Sequence, residues 1–372
     1  SAQALEAPQE LRPPRQGRCP GRLSASSKAG SAARRRRAAE AVVDRDADPL
    51  VRDGRDRDSR AVLTIGAMVL GALAWARTAV DDGAAGVVLT QGTDTIEETS
   101  YLLDLFWDRP EPLVVTGAMR SAQAAGADGP ANLLAAVRCA AAPASRGRGV
   151  LVAFDDQVHQ ARWVAKTDSM ATGAFASPTF GPTGRHAEGE VVYVSPASRQ
   201  EPLPWTGVLA RTPRVALVTT WLGDDGTTLE AVRSSAPDGI VIAGFGAGHV
   251  SAATAEVVGR AAADVPVVLA SRTGSGPTAR AVYDYPGSEI DLLARGAIGA
   301  GWLAPLKARL LLWALVLAMG AVSFVFLPPG AAAAGGVVMV LVAAGLTAWL
   351  PRFSLPGHRP KKFDDAGRRI DS

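Results

Sequence analysis

The sequence has few of the residues that build disulfide frameworks or metal centres. Its 372 residues include two cysteines, Cys19 and Cys139, and four scattered histidines, none in the spacing of a metal-ligand set. Two cysteines cannot form a disulfide framework, and without paired histidines they do not indicate zinc. We therefore expect no metal site.

A strong net charge is also missing. Lys and Arg number 39 against 36 Asp and Glu, which leaves a formal net charge of +3 and no reason to expect a nucleic-acid partner. Aromatic residues make up 6% of the chain and hydrophobic residues 48%. That balance is typical of an α/β protein rich in Ala, Val and Gly, and the length leaves room for two domains.

Phe, Trp and Tyr do not occur in residues 1–60, which are dense in Arg, Asp, Ala and Pro. Such a composition buries too little apolar surface to offset the entropy of ordering it, so we predict that 1–61 is a disordered or aberrant arm. An arm for anionic partners is the alternative, but Asp residues interrupt the Arg residues nearly one for one. The arm lacks the apolar core of a signal peptide, which favours a cytoplasmic location.

Two uncharged runs lie near the carboxyl end. Residues 310–327 and 331–350 are each close to the ~20 residues that cross a bilayer, with a Pro-Pro-Gly turn between them and a basic tail after them. One interpretation is a membrane hairpin with both ends cytoplasmic by the positive-inside rule. The other is that 305–317 is a buried helix that closes a globular domain.

Between these ends, short β-branched runs alternate with helical stretches. The runs 86–90, 112–118, 149–154, 214–220, 239–244 and 265–271 indicate buried strands, and 95–106, 129–142, 227–235 and 252–263 indicate helices. The alternation predicts a larger amino-terminal, doubly wound α/β domain with a mostly parallel sheet, and a smaller carboxyl-terminal α/β domain. We place the domains at 62–195 and 213–317, the linker at 196–212, and a hydrophobic extension with a basic tail at 318–372.

The segment GVVLTQGTDTIEETSYLLDLF, residues 86–106, carries a site signal. An apolar strand ends in a polar loop, and Thr95 with Glu98 is typical of a capping box at the start of the next helix. Thr93 and Asp94 are not needed for that cap. They follow the carboxyl end of a strand, which is the edge of an open α/β sheet where ligands bind.

Several long motifs resemble one known family. QGTDTIEETSYLLDL, VVTGAMRSAQAAGADGPANLLAAV and GVLVAFDDQVHQARWVAKTDS occur in that order, followed by GFGAGHVSAA, LASRTGSGPTARAVYDYPGSE and LAPLKARLLLWAL. Over residues 62–317 the chain resembles the bacterial-type L-asparaginases. The resemblance implies two α/β domains, a homotetramer, and hydrolysis of asparagine to aspartate and ammonia without a cofactor, often with slower use of glutamine.

The resemblance also assigns catalytic roles to three residues. Thr93 supplies a hydroxyl at the mouth of a helix, where backbone N–H groups point outward, and Asp94 holds the α-ammonium group of the substrate. Lys166, in VAKTDS, joins both in a Thr–Lys–Asp relay and acts as a base in its neutral form. An ordinary turn hydroxyl and a solvated surface lysine are the structural alternatives.

Other positions are expected to contact the substrate. Gly92 and Ala118 are predicted to line the site, Ala118 through a backbone contact, with Met119 and Arg120 beside it. His249 follows Gly-Ala-Gly, where many relatives carry an Asn that reaches a neighbouring subunit's site, so it is a candidate for substrate binding.

Three further side chains are given structural or surface positions. Asp128, in GADGPAN, is expected to organise the turn before Pro130. His159 and His186 are expected to lie on the surface.

The chain departs from the family at its amino-terminal end. The family begins with a strand that leads into a TGGTIA-like motif, whose first Thr is the attacking nucleophile, and residues 1–61 contain no such motif. Val62 stands where a family serine grips the substrate carboxylate. With the first strand missing, an interior position of the sheet is expected to be empty. One hypothesis is that 1–60 are an off-frame translation that rejoins the true frame near Leu63; the extension beyond about 318 is then a similar product or a genuine membrane anchor.

We therefore expect hydrolysis by this sequence to be impaired. One alternative is a non-catalytic relative that binds asparagine or aspartate through Asp94. Another is a membrane-tethered scaffold in which the hairpin over 310–350 is the functional part. The predicted partners are asparagine or glutamine, further copies of the chain and, for the hairpin, a membrane.

Overall fold

Two β-sheets covered by helices make up most of the described chain. The computed structural model describes residues 57–204, 212–326, 362–363 and 369–370. Most of the predicted arm and the second apolar run, 331–350, lie outside the described residues. A short antiparallel pair, Lys362–Phe363 with Arg369–Ile370, is described near the carboxyl end.

The amino-terminal half contains one large sheet. The helices are α1 (Arg57–Asp81), α2 (Ile96–Phe106) and α3 (Gly129–Ala141), with 3-10 turns at Thr93–Thr95 and Pro143–Ser145. The strands are β1 (Val87–Thr90), β2 (Leu113–Thr116), β3 (Val150–Phe154), β4 (Gln157–Gln160), β5 (Ala165–Lys166), β6 (Phe175–Ala176), β7 (Gly184–Ala187) and β8 (Glu190–Tyr193). Six of them form a sheet in the order β1-β2-β3-β4-β7-β8, and β5 pairs with β6.

The large sheet is parallel on one side and antiparallel on the other. β1, β2 and β3 run parallel, with Val87 opposite Leu113 and Leu113 opposite Val150. β4, β7 and β8 continue it antiparallel. Asp155 and Asp156 form the two-residue turn between β3 and β4 with φ of 50° and 57°, as tight hairpins require. Because parallel strands end at one edge, the loops after β1 and β2 lie side by side.

Successive strand residues face opposite helical layers. Val87 and Leu113 belong to the core that α1 and α2 share. Val88 and Val114 instead pack with Cys139 of α3. Both faces of the sheet are therefore covered, as in a doubly wound domain.

The carboxyl-terminal half is built on a smaller sheet. Its strands are β9 (Val215–Thr219), β10 (Gly239–Gly244), β11 (Val267–Ser271) and β12 (Ile298–Gly299), and its helices are α4 (Thr227–Ser234), α5 (Ala252–Asp264), α6 (Glu289–Ala294) and α7 (Pro305–Phe326). All four strands are parallel, in the order β12-β11-β10-β9. The predicted α/β class, with a larger first domain and a smaller second one, is confirmed.

Helix α7 joins the two halves. Leu311, Leu312 and Ala314 are fully buried, in a core that contains residues of both sheets. The Nε of Arg309 donates to the Val215 carbonyl at 3.0 Å. Residues 305–318 thus form a buried helix, which favours the second interpretation of the first apolar run. Within the described ranges, no helix is long and apolar enough to cross a membrane.

Helix α1 begins at Arg57, so its first residues fall within the stretch 1–61 that was predicted as an arm. Leu70, Leu73, Ala76 and Val80 are buried at helical spacing. This apolar face packs against α2 and β1, and its burial stabilises the helix.

The expected empty position inside the sheet is not found among the described residues. β1 pairs directly with β2, and the ladder continues without a gap to β8. In the described chain β1 is an edge strand, because it pairs with β2 on one side and with no described strand on the other. A further strand would add at that edge.

His159 corrects a second expectation, since it is fully buried. It lies on β4, which is interior to the sheet, and its Nδ1 is 2.9 Å from the Ser177 hydroxyl. Burial lowers its pKa to about 4. His186 is only partly exposed, and burial lowers its pKa as well.

Lys307 of α7 is a buried lysine at the junction of the two halves. It is 2% exposed. Its Nζ donates to the Ala161 carbonyl and, at 3.4 Å, to the Glu97 carbonyl. Burial lowers the pKa of this amine from 10.5 to about 7.

This lowered pKa predicts a pH dependence of stability. Between about pH 7 and 10.5 the unfolded chain holds a proton on Lys307 that the folded protein does not, so stability rises with pH in this window, by at most ~1.4 kcal/mol per pH unit. In Lys307→Met this contribution is lost. Urea unfolding at pH 7, 8.5 and 10 should show a steeper rise for the wild type. Equal slopes in both proteins would contradict the lowered pKa.

Candidate active site

The loop after β1 passes directly into a 3-10 turn and then into α2. The Gln91 N–H donates to the last carbonyl of β2 at 3.1 Å, which holds the loop against that strand. The Ile96 N–H donates to the Thr93 carbonyl. Thr95 precedes α2, but its side chain makes no capping bond. The predicted capping box with Glu98 is therefore wrong, because the backbone of the 3-10 turn supplies an acceptor at this helix start.

Gly117, just after β2, allows the loop to approach closely. A Cβ atom there would lie 2.5 Å from the Gln91 carbonyl oxygen and 3.4 Å from Cγ2 of Thr93. The first distance is shorter than any real contact, so only glycine fits without moving the loop. This absence of a side chain places the Thr93 loop beside Ala118.

Asp128 organises the neighbouring turn, as expected. Its carboxylate accepts hydrogen bonds from the N–H groups of Met119 and Arg120, both at 2.9 Å. The Asn132 amide donates to the same carboxylate at 3.0 Å and to the Gly117 carbonyl at 3.0 Å. Two side chains of the α3 start thus fix the backbone around Ala118.

Lys166 reaches the Thr93 loop from the short strand β5. Its Nζ donates to the Thr93 hydroxyl oxygen at 3.0 Å and to the Asp94 carboxylate at 2.8 Å. The Lys166 side chain is 16% exposed, whereas that of Asp94 is 95% exposed. The structure therefore brings together all three predicted catalytic residues, with the amine inside and the carboxylate facing solvent.

The contact with Lys166 determines the ionisation of Asp94. The hydrogen bond from Lys166, together with its positive charge, holds the pKa of the Asp94 carboxyl below its ordinary value. Asp94 is therefore ionised at neutral pH. An exposed carboxylate beside a hydroxyl can receive a ligand ammonium group while the hydroxyl faces the rest of the ligand.

The predicted substrate-binding residues fall into two groups. Gly92 precedes the 3-10 turn with extended backbone, and Ala118 is exposed next to Gly117, so both lie at the Thr93 loop. His249 belongs to the other half of the molecule. Its Nε2 is 2.9 Å from the Glu289 carboxylate and its Nδ1 is 2.8 Å from the Tyr285 hydroxyl. Among the described residues, His249 makes no hydrogen bond or ring contact with the Thr93 loop or with Lys166.

A cleft of about 510 Å³ reaches Lys166 from the side of the second sheet. Its lining comes mainly from β5, the loop after β11 and the start of α7, and combines apolar with polar side chains. It includes Glu97, Thr167, Thr219, Thr273, Ser275 and Lys307. Thr93 and Asp94 are not part of this lining.

Three residues of the site were not found from the sequence. Gly117 lets the Gln91 carbonyl approach because it has no side chain, the Asn132 amide donates to the Gly117 carbonyl, and Glu97 accepts a hydrogen bond from the Lys166 N–H at 2.8 Å. A glycine directly after a strand was the one available signal for a close approach. Nothing in the local pattern links Glu97 to a strand 69 positions away.

Comparisons with known proteins assign the chain to a family. Residues 65–199 match the family Asparaginase, N-terminal, and residues 214–321 match the Glutaminase/Asparaginase C-terminal domain. A protein of Deinococcus radiodurans named probable L-asparaginase is 40% identical over 237 residues, which cover 63% of this chain and 71% of that protein. The chain belongs to the L-asparaginase family. It is a member of a family of amidohydrolases.

A second sequence relative and a solved structure are also similar to this asparaginase-family chain. A Haemophilus influenzae protein named probable L-asparaginase periplasmic is 41% identical over 231 residues, covering 61% of this chain and 64% of that protein. The crystal structure of a probable cytoplasmic L-asparaginase from Campylobacter jejuni superposes with a TM-score of 0.62 at 31% identity, covering 74% of this chain and 82% of that one. The chain thus spans under two thirds of the Haemophilus relative's length.

The close approach at Gly117 gives a test of the site's architecture. Gly117→Ala should lower the free energy of unfolding by about 1–3 kcal/mol, because the new methyl group must displace the loop carbonyl. Gly92→Ala is the matched control: no atom lies within 4 Å of its added Cβ, and surface changes of this kind cost at most ~0.5 kcal/mol. Chemical unfolding of the two variants measures this. Equal stabilities would mean that the loop does not depend on Gly117.

Proposed function

We propose that this chain acts on L-asparagine, cleaving the side-chain amide with water to give aspartate and ammonia. The observation that carries the proposal is the hydrogen-bonded set of Thr93, Lys166 and Asp94. The names of its relatives support the same substrate.

Each group suits a step of amide hydrolysis. The exposed Asp94 carboxylate binds the α-ammonium group of the substrate. Lys166, in its neutral form, accepts the proton of the Thr93 hydroxyl as that oxygen or a water attacks the amide carbon. Free N–H groups in the first turn of the helix can stabilise the oxyanion. Ammonia leaves with the proton that the lysine has taken up. Where the Thr93 oxygen has attacked, a water then hydrolyses the ester between Thr93 and the aspartyl group, which releases aspartate and returns a proton to the Thr93 hydroxyl.

We further propose that the 372-residue chain by itself catalyses this reaction poorly. It contains Thr93 but no Gly-Gly-Thr loop of the kind that carries the family's first nucleophile. The scissile carbon would have to lie about 3–3.5 Å from a hydroxyl placed for another role, and a small misplacement is costly. A non-catalytic protein that binds asparagine or aspartate through Asp94 is the alternative, and the exposure of that carboxylate favours it.

The remaining expectations rest on the family resemblance. We propose that copies of the chain associate, as a homotetramer in the family, with glutamine as a slower substrate and His249 contributing to a neighbouring copy's site. We propose a cytoplasmic location, although the relatives compared include one named periplasmic.

Ammonia release tests the proposed reaction. The printed chain should release ammonia from asparagine near or below detection, because loss of a nucleophile has lowered turnover by around a million-fold in another hydrolase. Fusing a strand that ends in a Gly-Gly-Thr loop ahead of Arg57 should restore release, since the edge of β1 is open among the described residues.

The restored protein then provides the control. Thr93→Ala should abolish its ammonia release, whereas Thr95→Ala should not, because the Thr95 side chain is exposed and does not contact Lys166. Strong turnover by the unmodified chain would show that the reaction does not need a Gly-Gly-Thr nucleophile. Strong turnover by the restored Thr93→Ala variant would show that the Thr93 hydroxyl is not required.

A further inference from the structure

Lys166 depends on a short and weak structural element. Strand β5 is two residues long and, among the described strands, pairs with β6 alone, Lys166 opposite Phe175. A lysine also has a long flexible side chain with many rotamers. Pairing of this kind does not by itself explain why the amine reaches both Thr93 and Asp94.

Glu97 supplies a second restraint on Lys166. It lies in the first turn of α2, three residues after Asp94, and its Oε2 accepts a hydrogen bond from the Lys166 N–H at 2.8 Å. The helix that carries the Thr93–Asp94 turn therefore holds the backbone of Lys166 directly. A charged acceptor makes this hydrogen bond stronger than one between neutral groups.

The buried amine of Lys307 reinforces the same connection. It donates to the carbonyl of Glu97 and to the carbonyl of Ala161, which lies five residues before Lys166. The first turn of α2 and the chain that leads into β5 thus share one buried donor. Glu97 is held by its backbone while its side chain holds Lys166.

We propose that Glu97 is a positioning residue that fixes the backbone of Lys166 so that its amine contacts Thr93 and Asp94 together. This inference rests on the proposed function, because it assigns Glu97 to the same site. Glu97 does not touch the substrate; it acts through Lys166. Small displacements of catalytic groups lower turnover strongly. Loss of the hydrogen bond between the Lys166 N–H and Glu97 should therefore lower turnover.

Glu98 provides a matched control on the same helix turn. It is half-buried, and burial raises the pKa of its carboxyl. No hydrogen bond joins its side chain to Lys166 among the described residues. Glu97→Leu removes the acceptor, Glu97→Gln keeps an acceptor oxygen of similar reach, and Glu98→Leu makes the same chemical change one position later.

The Asp94 carboxyl reports where the Lys166 amine lies, because that amine lowers its pKa. Carbon-13 NMR titration of Asp94 is done on the folded protein without an added strand. It should show the lowered pKa in the wild type, in Glu97→Gln and in Glu98→Leu. In Glu97→Leu the pKa should return toward its ordinary value. A purely structural role for Glu97 would not produce this pattern with rescue by Gln. A lowered pKa in Glu97→Leu would overturn the proposal.

Two further measurements complete the test. If Glu97→Leu does not fold, Glu97→Asp shortens the side chain by one methylene and should move the Asp94 pKa in the same direction; no movement would overturn the proposal. In the strand-restored protein, Glu97→Leu should lower kcat about 10- to 100-fold with little change in KM. Unchanged kcat would also overturn it. If no restored protein releases ammonia, the proposed reaction fails, while the titration still decides the role of Glu97.

Discussion

The hydrogen bond between the Lys166 amine and the Thr93 hydroxyl joins two segments 73 positions apart in the sequence. Neither segment is a long regular element. The hydroxyl lies in a three-residue 3-10 turn and the lysine in a two-residue strand. The contact therefore depends on how the surrounding structure holds these two short pieces of backbone.

Several contacts hold the hydroxyl side. Parallel pairing of β1 with β2 brings the two loops to one edge of the sheet. The missing side chain of Gly117 lets them approach, and Asp128 with Asn132 fixes the backbone that follows. On the lysine side, Glu97 accepts the backbone N–H.

Helix α7 connects this arrangement to the second half of the molecule. It packs into a core that contains residues of both sheets, and Lys307 near its start donates to carbonyls on both sides of the Glu97–Lys166 bond. A buried amine is costly unless its donors are satisfied. The site is thus supported by the packing between the two halves.

Elements set by side-chain pattern were predictable. Runs such as 149–154 and 239–244 became the fully buried strands Val150–Phe154 and Gly239–Gly244, since β-branched residues pack well in a sheet covered on both faces. Helix α1 was missed because its polar start resembles a disordered arm. His159 was misplaced because the sequence of β4 does not reveal that its strand is interior.

Features that depend on long-range backbone contacts were not predictable from local pattern. The cap at Thr95 failed because a 3-10 turn preceded the helix. Thr93, Asp94 and Lys166 were proposed together only through the family resemblance, because no local rule joins residues so far apart. Gly117 and Glu97 required coordinates, since each acts on backbone that arrives from another element.

Thr93, Asp94 and Lys166 are proposed to form one site that recognises an amino acid. Calorimetric titration of the printed chain with L-aspartate tests it without requiring turnover. We expect binding that weakens at least about tenfold in Asp94→Asn, because the ammonium group loses a charged partner worth ~1.4 kcal/mol or more. Binding of equal affinity in both proteins, or no binding to the folded wild-type chain, would contradict the account.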